Sequence, residues 1–452
     1  MKKYLLSLAI VTGMGISAMA QDSVAPVIPS GPIDLETAVE IALQNNLTLK
    51  RSELNQLTNE ANLLQNQGER YPNLSAGASS GYRWGRSINP VTNLFETDRI
   101  GNINVSASSN ATIFAGNQIN NSIKQSKVDL EAGQYNIEAT RNTITLDIIN
   151  LFINVVFNRE QVNVAENQLQ TTTEQLARTT KLVDAGSLPF SDQLDVQSQN
   201  ATNQVNLITA KNNYNIAKLN LAQALQIPYT EDFAVIEPEF EINESLMATE
   251  TSADIFEVAV ETMPEIKAAK ATIESAELGI KLAKGAYLPS LGIGANIFSN
   301  YVDKVYNTER PSFGDQINNN LSEAVNLQLS IPIFSRFSNK ASVQRARVQR
   351  QLSEVAAKEA ENQLRNDIET AYTSALAAQE TYEASLIQVE SLKESFRISQ
   401  QRFDLGAINS VDFQVAQNNL FNAQADLLNA KYTYIFRVKV LDFYLGNPIN
   451  LN

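Results

Sequence analysis

The side chains that could do chemistry in this chain are carboxylates, amines and phenols, because the sequence contains no histidine and no cysteine. Ser-His-Asp and Cys-His nucleophile systems and the common zinc sites are thereby excluded. Beyond the first twenty residues only Met247 and Met263 carry a thioether, too few for a soft-metal ladder. Carboxylate pairs remain as acid–base candidates. Asp147, Glu160, Glu361, Asp367 and Glu369 lie in long Gln-, Asn- and Lys-rich helical runs, and their expected role is that of solvated helix-face charges. No catalytic residue, no metal site and no cofactor is expected. Three other acids are placed differently, at interruptions that occur twice. "DAGSLPFSDQLDVQ" (Asp184–Gln197) carries Gly186, Asp192 and Asp195, and "DLGAINSVDFQVAQ" (Asp404–Gln417) carries Gly406, Asn409 and Asp412. In both, an aspartate follows a glycine by six residues, and glycine is the residue that lets a helix end in a left-handed turn.

The elements that hold these interruptions follow from a duplication. Shifted by 220, Phe114 meets Phe334, Asp147 meets Asp367, Gly186 meets Gly406, Asp192 meets Asp412, Tyr214 meets Tyr434 and Pro228 meets Pro448. Upstream the shift is 217, pairing Ala42 with Ala259, Lys50 with Lys267 and Pro72 with Pro289. Repeat one is placed at about 34–228, with strands near 72–86 and 101–115 and its break at 184–192. Repeat two is placed at about 253–448, with strands near 288–302 and 322–334 and its break at 404–412. Residues 229–252, acidic and carrying Pro238, connect the two.

Each repeat reads helix, two strands, long helix, break, helix. Leu35–Gln67 has apolar residues at helical spacing and stops before Pro72, since the residue before proline leaves the α region. The period then changes to two: Ile103, Val105, Ala107, Ala111 and Ile113 alternate with Asn102, Asn104, Ser106, Ser108 and Asn110. "PSLGIGANIFSNY" and "EAVNLQLSIPIF" alternate likewise in repeat two. A half-exposed soluble sheet also alternates. Membrane-spanning strands need roughly 9–11 residues with one lipid face and one polar face, and the length, the Asn-rich polar faces and the aromatics near the strand ends favour them. Four such strands cannot close, and lipid tolerates no open edge, so membrane-spanning strands would oblige several chains to share one barrel.

From Gln118 to Leu182 and from Ser338 to Phe403 there is no proline, so each run predicts a helix of roughly 100 Å at 1.5 Å per residue. Short helices are expected at Leu188–Ile227, Ala253–Ala283 and Ile408–Leu445. Modest apolar positions among Gln, Asn and Thr suit helices packed side by side with a wet face, in a tunnel or in a structural coiled coil without a channel. The net charge of −14, from 35 basic against 49 acidic residues, repels nucleic acid. Residues 1–20, "MKKYLLSLAIVTGMGISAMA", have the basic, apolar and small-residue parts of a secretory signal peptide, with cleavage expected before Gln21.

The layout resembles the TolC-type outer-membrane efflux family over nearly the whole mature chain. The resemblance rests on the duplication, on "AVEIALQNN" after the leader, on "YLPSLGIGA" entering a strand, on "IFAGNQ" and "IPIFSR" leaving strands, and on the twin Gly-x5-Asp breaks. It implies a mostly α fold with β: a homotrimer in which four strands per chain contribute to a 12-stranded outer-membrane β-barrel above a long-helix α-barrel crossing the periplasm. Pro72, Phe114, Pro289 and Phe334 would mark strand entry and exit. The helix–break–helix hairpins would be periplasmic tips that dock a periplasmic adaptor and gate the tunnel, with Gly186, Asp192, Asp195, Gly406, Asn409 and Asp412 at the tip. An inner-membrane pump of RND, ABC or MFS type and outer-membrane lipid complete the implied partners. The family's basic latch position is Ile408 here, and Val415 stands where repeat one has Asp195, so the two tips are expected to differ.

Overall fold

The computed structural model describes residues 31–88, 93–236, 250–304 and 311–447. The leader, Pro448 and most of the inter-repeat connection lie outside these residues. In chain order the elements are α1 (Leu35–Asn45), α2 (Leu47–Gly68), β1 (Ser75–Ile88), β2 (Phe95–Ala115), α3 (Gln118–Asp184), α4 (Phe190–Ala224), α5 (Ser252–Thr262), α6 (Pro264–Gly285), β3 (Ser290–Val302), α7 (Phe313–Asn319), β4 (Ser322–Ser330), α8 (Ser338–Asp404) and α9 (Ser410–Tyr444). The duplication is visible in lengths: α3 and α8 each have 67 residues and α4 and α9 each have 35.

The single helix expected over Leu35–Gln67 is two helices. Asn46 is extended (φ −66, ψ 121), and its side chain accepts the N–H groups of Thr48 and Leu49, capping α2 as α1 ends. Repeat two breaks at the matching residue by other means. Pro264 opens α6 at a position where its missing N–H costs nothing, and it holds Met263 extended (φ −68, ψ 129). The expected helix over Ala253–Ala283 is accordingly divided as well. A capping box between Thr251 and Asp254 starts α5.

The core forms twice, at the waist of the long helices. In repeat one, Ala38, Ala42 and Leu49 meet Ile144, Ile148 and Phe152 of α3 and Leu221 of α4. In repeat two, the residues at the same shifts, Ile255, Ala259 and Ile266, meet Leu364 and Ile368 of α8 and Leu441 of α9. All of these are at most 7% exposed. Beyond the waist the long helices are wet, as their sequence suggests: toward the end of α3 the buried positions thin to Ala165, Thr172 and Thr179, one in seven residues.

The four strands form one antiparallel sheet in the order β1-β2-β3-β4. Its register separates two faces. Leu291 pairs with Leu329, Ile293 with Leu327 and Ala295 with Val325 on one face, while Asn110, Gly294 and Asn326 line up on the other. A bulge between Thr112 and Phe114 gives β2 an extra residue. It brings Phe114 opposite Leu291, so Ile113 and Phe114 both join the apolar face. The strand limits differ from the sequence reading. β2 begins six residues earlier than expected, because Phe95–Asp98 continue the hairpin with Gly85–Ile88. β4 ends at Ser330 rather than 334, since Pro332 has no N–H to donate to a ladder. A short helix, α7, occupies part of what reads as loop, opened by a capping box of Ser312 and Asp315. No helix among the described residues is long and apolar enough to cross a membrane.

Candidate functional site

Two clusters of expected site residues stand at opposite ends of α3, about 100 Å apart at 1.5 Å per residue. Pro72, Phe114, Pro289 and Phe334 lie at the strand end. Pro72 and Pro289 precede β1 and β3, with Asn73 already pairing with Asn110. Phe114 lies within β2, and Phe334 follows β4, exposed and edge-on to Phe337 at 5.9 Å. Gly186, Asp192, Asp195, Gly406, Asn409 and Asp412 gather at the far end, where each long helix reverses into a shorter one.

Both reversals are built alike. Gly186 (φ 71) and Gly406 (φ 69) are left-handed. The Gly186 and Ser187 N–H groups donate to Val183 and Leu182 carbonyls at 2.9 and 2.8 Å. Those of Gly406 and Ala407 donate to Phe403 and Arg402 at 3.0 and 2.8 Å, so the orphan carbonyls of both helix ends are met by the same pair of bonds. The restarts differ. Asn409 caps α9, its Oδ1 accepting the Asp412 N–H at 2.8 Å. Repeat one restarts after Pro189, whose side chain offers no cap.

The tips touch each other through a residue the sequence reading passed over. Ser410, 2% exposed, points its Oγ at Asp195 Oδ2 at 3.3 Å and Asp192 Oδ1 at 3.5 Å. Thus the two carboxylates of the first tip meet the start of α9, while Asp412 enters its own helix start through its backbone N–H. Gln199 and Asn418 extend the contact, exchanging hydrogen bonds at 3.2 and 3.4 Å. Phe413 lies 4.9 Å from Phe403, stacked, and 5.5 Å from Phe396, closing the second hairpin with aromatic packing. The seven-residue spacing of Phe396 and Phe403 was the available signal for this cluster. Nearby, Gln417 is fully buried with neither amide atom hydrogen-bonded, and no sequence pattern marks it.

Between the hairpins lies a cavity of about 490 Å³, lined by Glu174, Arg178 and Leu182 of α3 and Gln400, Phe403 and Phe413 of the second hairpin. It is an amphipathic cleft, with Glu174 and Arg178 beside Leu182, Phe403 and Phe413. Among the described residues no group of three or more Asp or Glu could hold a metal ion.

A sheet with one apolar face, carried on paired helices of 67 residues that reverse at narrow tips, defines a class of envelope channel proteins. The profile of the outer membrane efflux protein family matches residues 38–225 and 256–447. The chain belongs to this family, and it is a protein of the outer membrane with a helical periplasmic extension. Among its relatives, the TolC outer membrane protein of Vibrio cholerae is 23% identical over 324 residues, 68% of each chain. The alkaline protease secretion protein AprF of Pseudomonas aeruginosa is 20% identical over 303 residues, covering 66% of this chain and 60% of that protein. The solved structure of the outer membrane protein VceC of Vibrio cholerae superimposes with a TM-score of 0.77 at 16% identity, over 92% of this chain and 97% of that one.

Proposed function

We propose that three copies of this chain form a passive exit duct, in which substrate driven by an inner-membrane pump passes along the helical tunnel and out through a shared 12-stranded barrel. The observation that carries this reading is the open sheet: β1 and β4 each have a free edge, and an apolar face flanked by open edges is stable in lipid only when other copies close it. Repeats one and two, 34–228 and 253–448, are the units that alternate around the ring.

The duplication indicates how copies meet. Within the chain, Val128 and Ala132 of α3 are buried against Ala271 and Leu278 of α6, so repeat one grips repeat two. The equivalent contact by which repeat two grips the next repeat one uses Val348 and Leu352 of α8 and Leu54 and Ala61 of α2. In the single chain α8 packs on α6 and α2 packs on α3. Leu54, Val348 and Leu352 are left 43%, 43% and 56% exposed. A second copy covers them. The chain has no cysteine, so Leu54→Cys with Val348→Cys tests the contact cleanly. Oxidised double variants migrating as covalent trimers support it, and monomers only, in protein that still conducts ions in a planar bilayer, defeat the interface while sparing the duct.

At the other end the tips, with Gly186, Asp192, Asp195, Gly406, Asn409 and Asp412, dock a periplasmic adaptor and gate the tunnel. The reading is supported by the narrow exposed turns, by the cleft beside them and by the polar Ser410–Asp192–Asp195 contact that joins the tips. Reaction chemistry has no part in this function; the work is done by the pump, of RND, ABC or MFS type.

A further inference from the structure

We infer that the outer end of the β1–β2 hairpin carries a binding site for the phosphate of an anionic outer-leaflet lipid, built from Arg86 and Arg99. Register puts Tyr82, Trp84 and Arg86 on the same face as Arg99, since Trp84 pairs with Arg99 and Arg86 with Thr97. This is the apolar face, continuing from Ile103 and Val105. Each guanidinium lies over an aromatic ring, Arg86 over Phe95 and Arg99 over Tyr82, both 4.6 Å from the centroid. An arginine stacked in this way keeps its in-plane N–H fork for a phosphate while its flat face is desolvated.

Height selects the ligand. From Leu291 to Tyr301 the apolar face runs ten residues, which at about 3.3 Å per residue and a tilt of about 40° rises roughly 25 Å, the apolar band of an outer-membrane barrel. Arg99 and Arg86 stand four and six residues beyond the level of Ile103, so their backbones are about 10 and 15 Å above that band, at and beyond the outer limit of the headgroup layer, from which a long side chain leans back to the phosphates. An arginine buried in the band is costly, and that cost fades at the interface.

The neighbouring acids are engaged. Asp303 Oδ1 accepts the Gly101 N–H at 2.6 Å, and its Oδ2 makes a long ion pair with one Arg99 guanidinium nitrogen at 3.9 Å, with the Arg99 side chain still 56% exposed. Asp98 pairs with Lys304 on the opposite face of β2. In a chain of net charge −14 two arginines on the lipid side are a local exception. A phosphorylated headgroup supplies the charge and geometry that match them.

The site contains its own reporter, because Trp84 is the single tryptophan. The full-length protein in maltoside micelles is titrated with diphosphoryl lipid A, with phosphatidylcholine and with inorganic phosphate, following Trp84 emission. The expected result is saturable binding of lipid A at least about ten-fold tighter than phosphatidylcholine, with no response to inorganic phosphate, and loss of that preference in Arg86→Gln/Arg99→Gln. Equal affinity for the two lipids reduces the patch to an unselective interfacial belt. A preference unchanged in the double variant, or an equal response to inorganic phosphate, also overturns the inference. Quenching of Trp84 by dibromo-acyl phosphatidylcholine separately checks that this face meets lipid; quenching without selectivity sinks the phosphate site alone, and no quenching sinks the membrane orientation of the sheet with it.

Discussion

Gly406 separates the energetics of the tip turn from its use in docking. Its φ of 69 is a left-handed value, and no atom lies within 4 Å of where a Cβ would stand. Any L-residue except asparagine therefore loses about 1–2 kcal/mol of stability from the backbone, and side-chain size adds nothing. Both carbonyl-satisfying bonds of the turn are made by main-chain N–H groups and survive the change. Gly406→Ala and Gly406→Trp should then lower the thermal midpoint of the purified oligomer by the same few degrees, and Gly406→Asn by less. Docking sets them apart. A bulky side chain forced into a packed contact costs about 1–3 kcal/mol, roughly 5- to 150-fold in affinity for the adaptor. Drug resistance of a host lacking its own duct should survive Gly406→Ala and fall sharply with Gly406→Trp, at equal amounts of assembled protein. Resistance that follows the thermal midpoint in all three variants, or a Gly406→Trp variant as resistant as the parent, would rule out docking at this turn.

The remaining expectations concern the tip and the waist. Asn409→Ala removes the side-chain cap of α9 and should cost about 1 kcal/mol, read as a lower midpoint in denaturant, with Asn409→Asp close to the parent. Gln417→Met replaces an amide with no partner by an apolar chain of similar shape and should raise the unfolding free energy by up to about 1–3 kcal/mol, read from the denaturant midpoint; a loss of stability would mean that the amide is satisfied in solution. At the waist, burial above all, with Asp367 adding like charge, pushes the Glu265 carboxyl above 4.5, and burial with these two acids pushes the Tyr444 phenol up to about 12. A carboxyl raised in the folded state penalises folding above its folded pKa, and the penalty disappears below 4.5, where both states are protonated. Glu265→Gln should therefore be more stable than the parent at pH 7.5, with the gap closing as the pH falls to 4.5; a gap independent of pH would assign the effect to packing.

Much of the architecture is written in local pattern. The two shifts of 217 and 220 reappear as two copies of one core, with Ile148 and Ile368 in the same place. The change from helical to two-residue period marks the strands because a pleated strand with one apolar face must alternate. Gly186 and Gly406 were recognisable because only a left-handed turn gives such a reversal a use for glycine. Asn46 and Met263-Pro264 show the limit of that legibility: a helix that continues its apolar stripe across an extended residue looks unbroken, since periodicity is blind to a single cap inserted between turns.

The repeat, the element types and the wet long helices are legible in the chain itself, because they depend on composition and spacing along it. Which residues of different elements meet is settled only in three dimensions. Ser410 reaches Asp192 and Asp195 across more than two hundred residues, and Arg99 finds Tyr82 through the register of a hairpin. Contacts of this kind depend on how elements cross and slide against one another, and a periodic pattern fixes the face an element buries without fixing what lies against it.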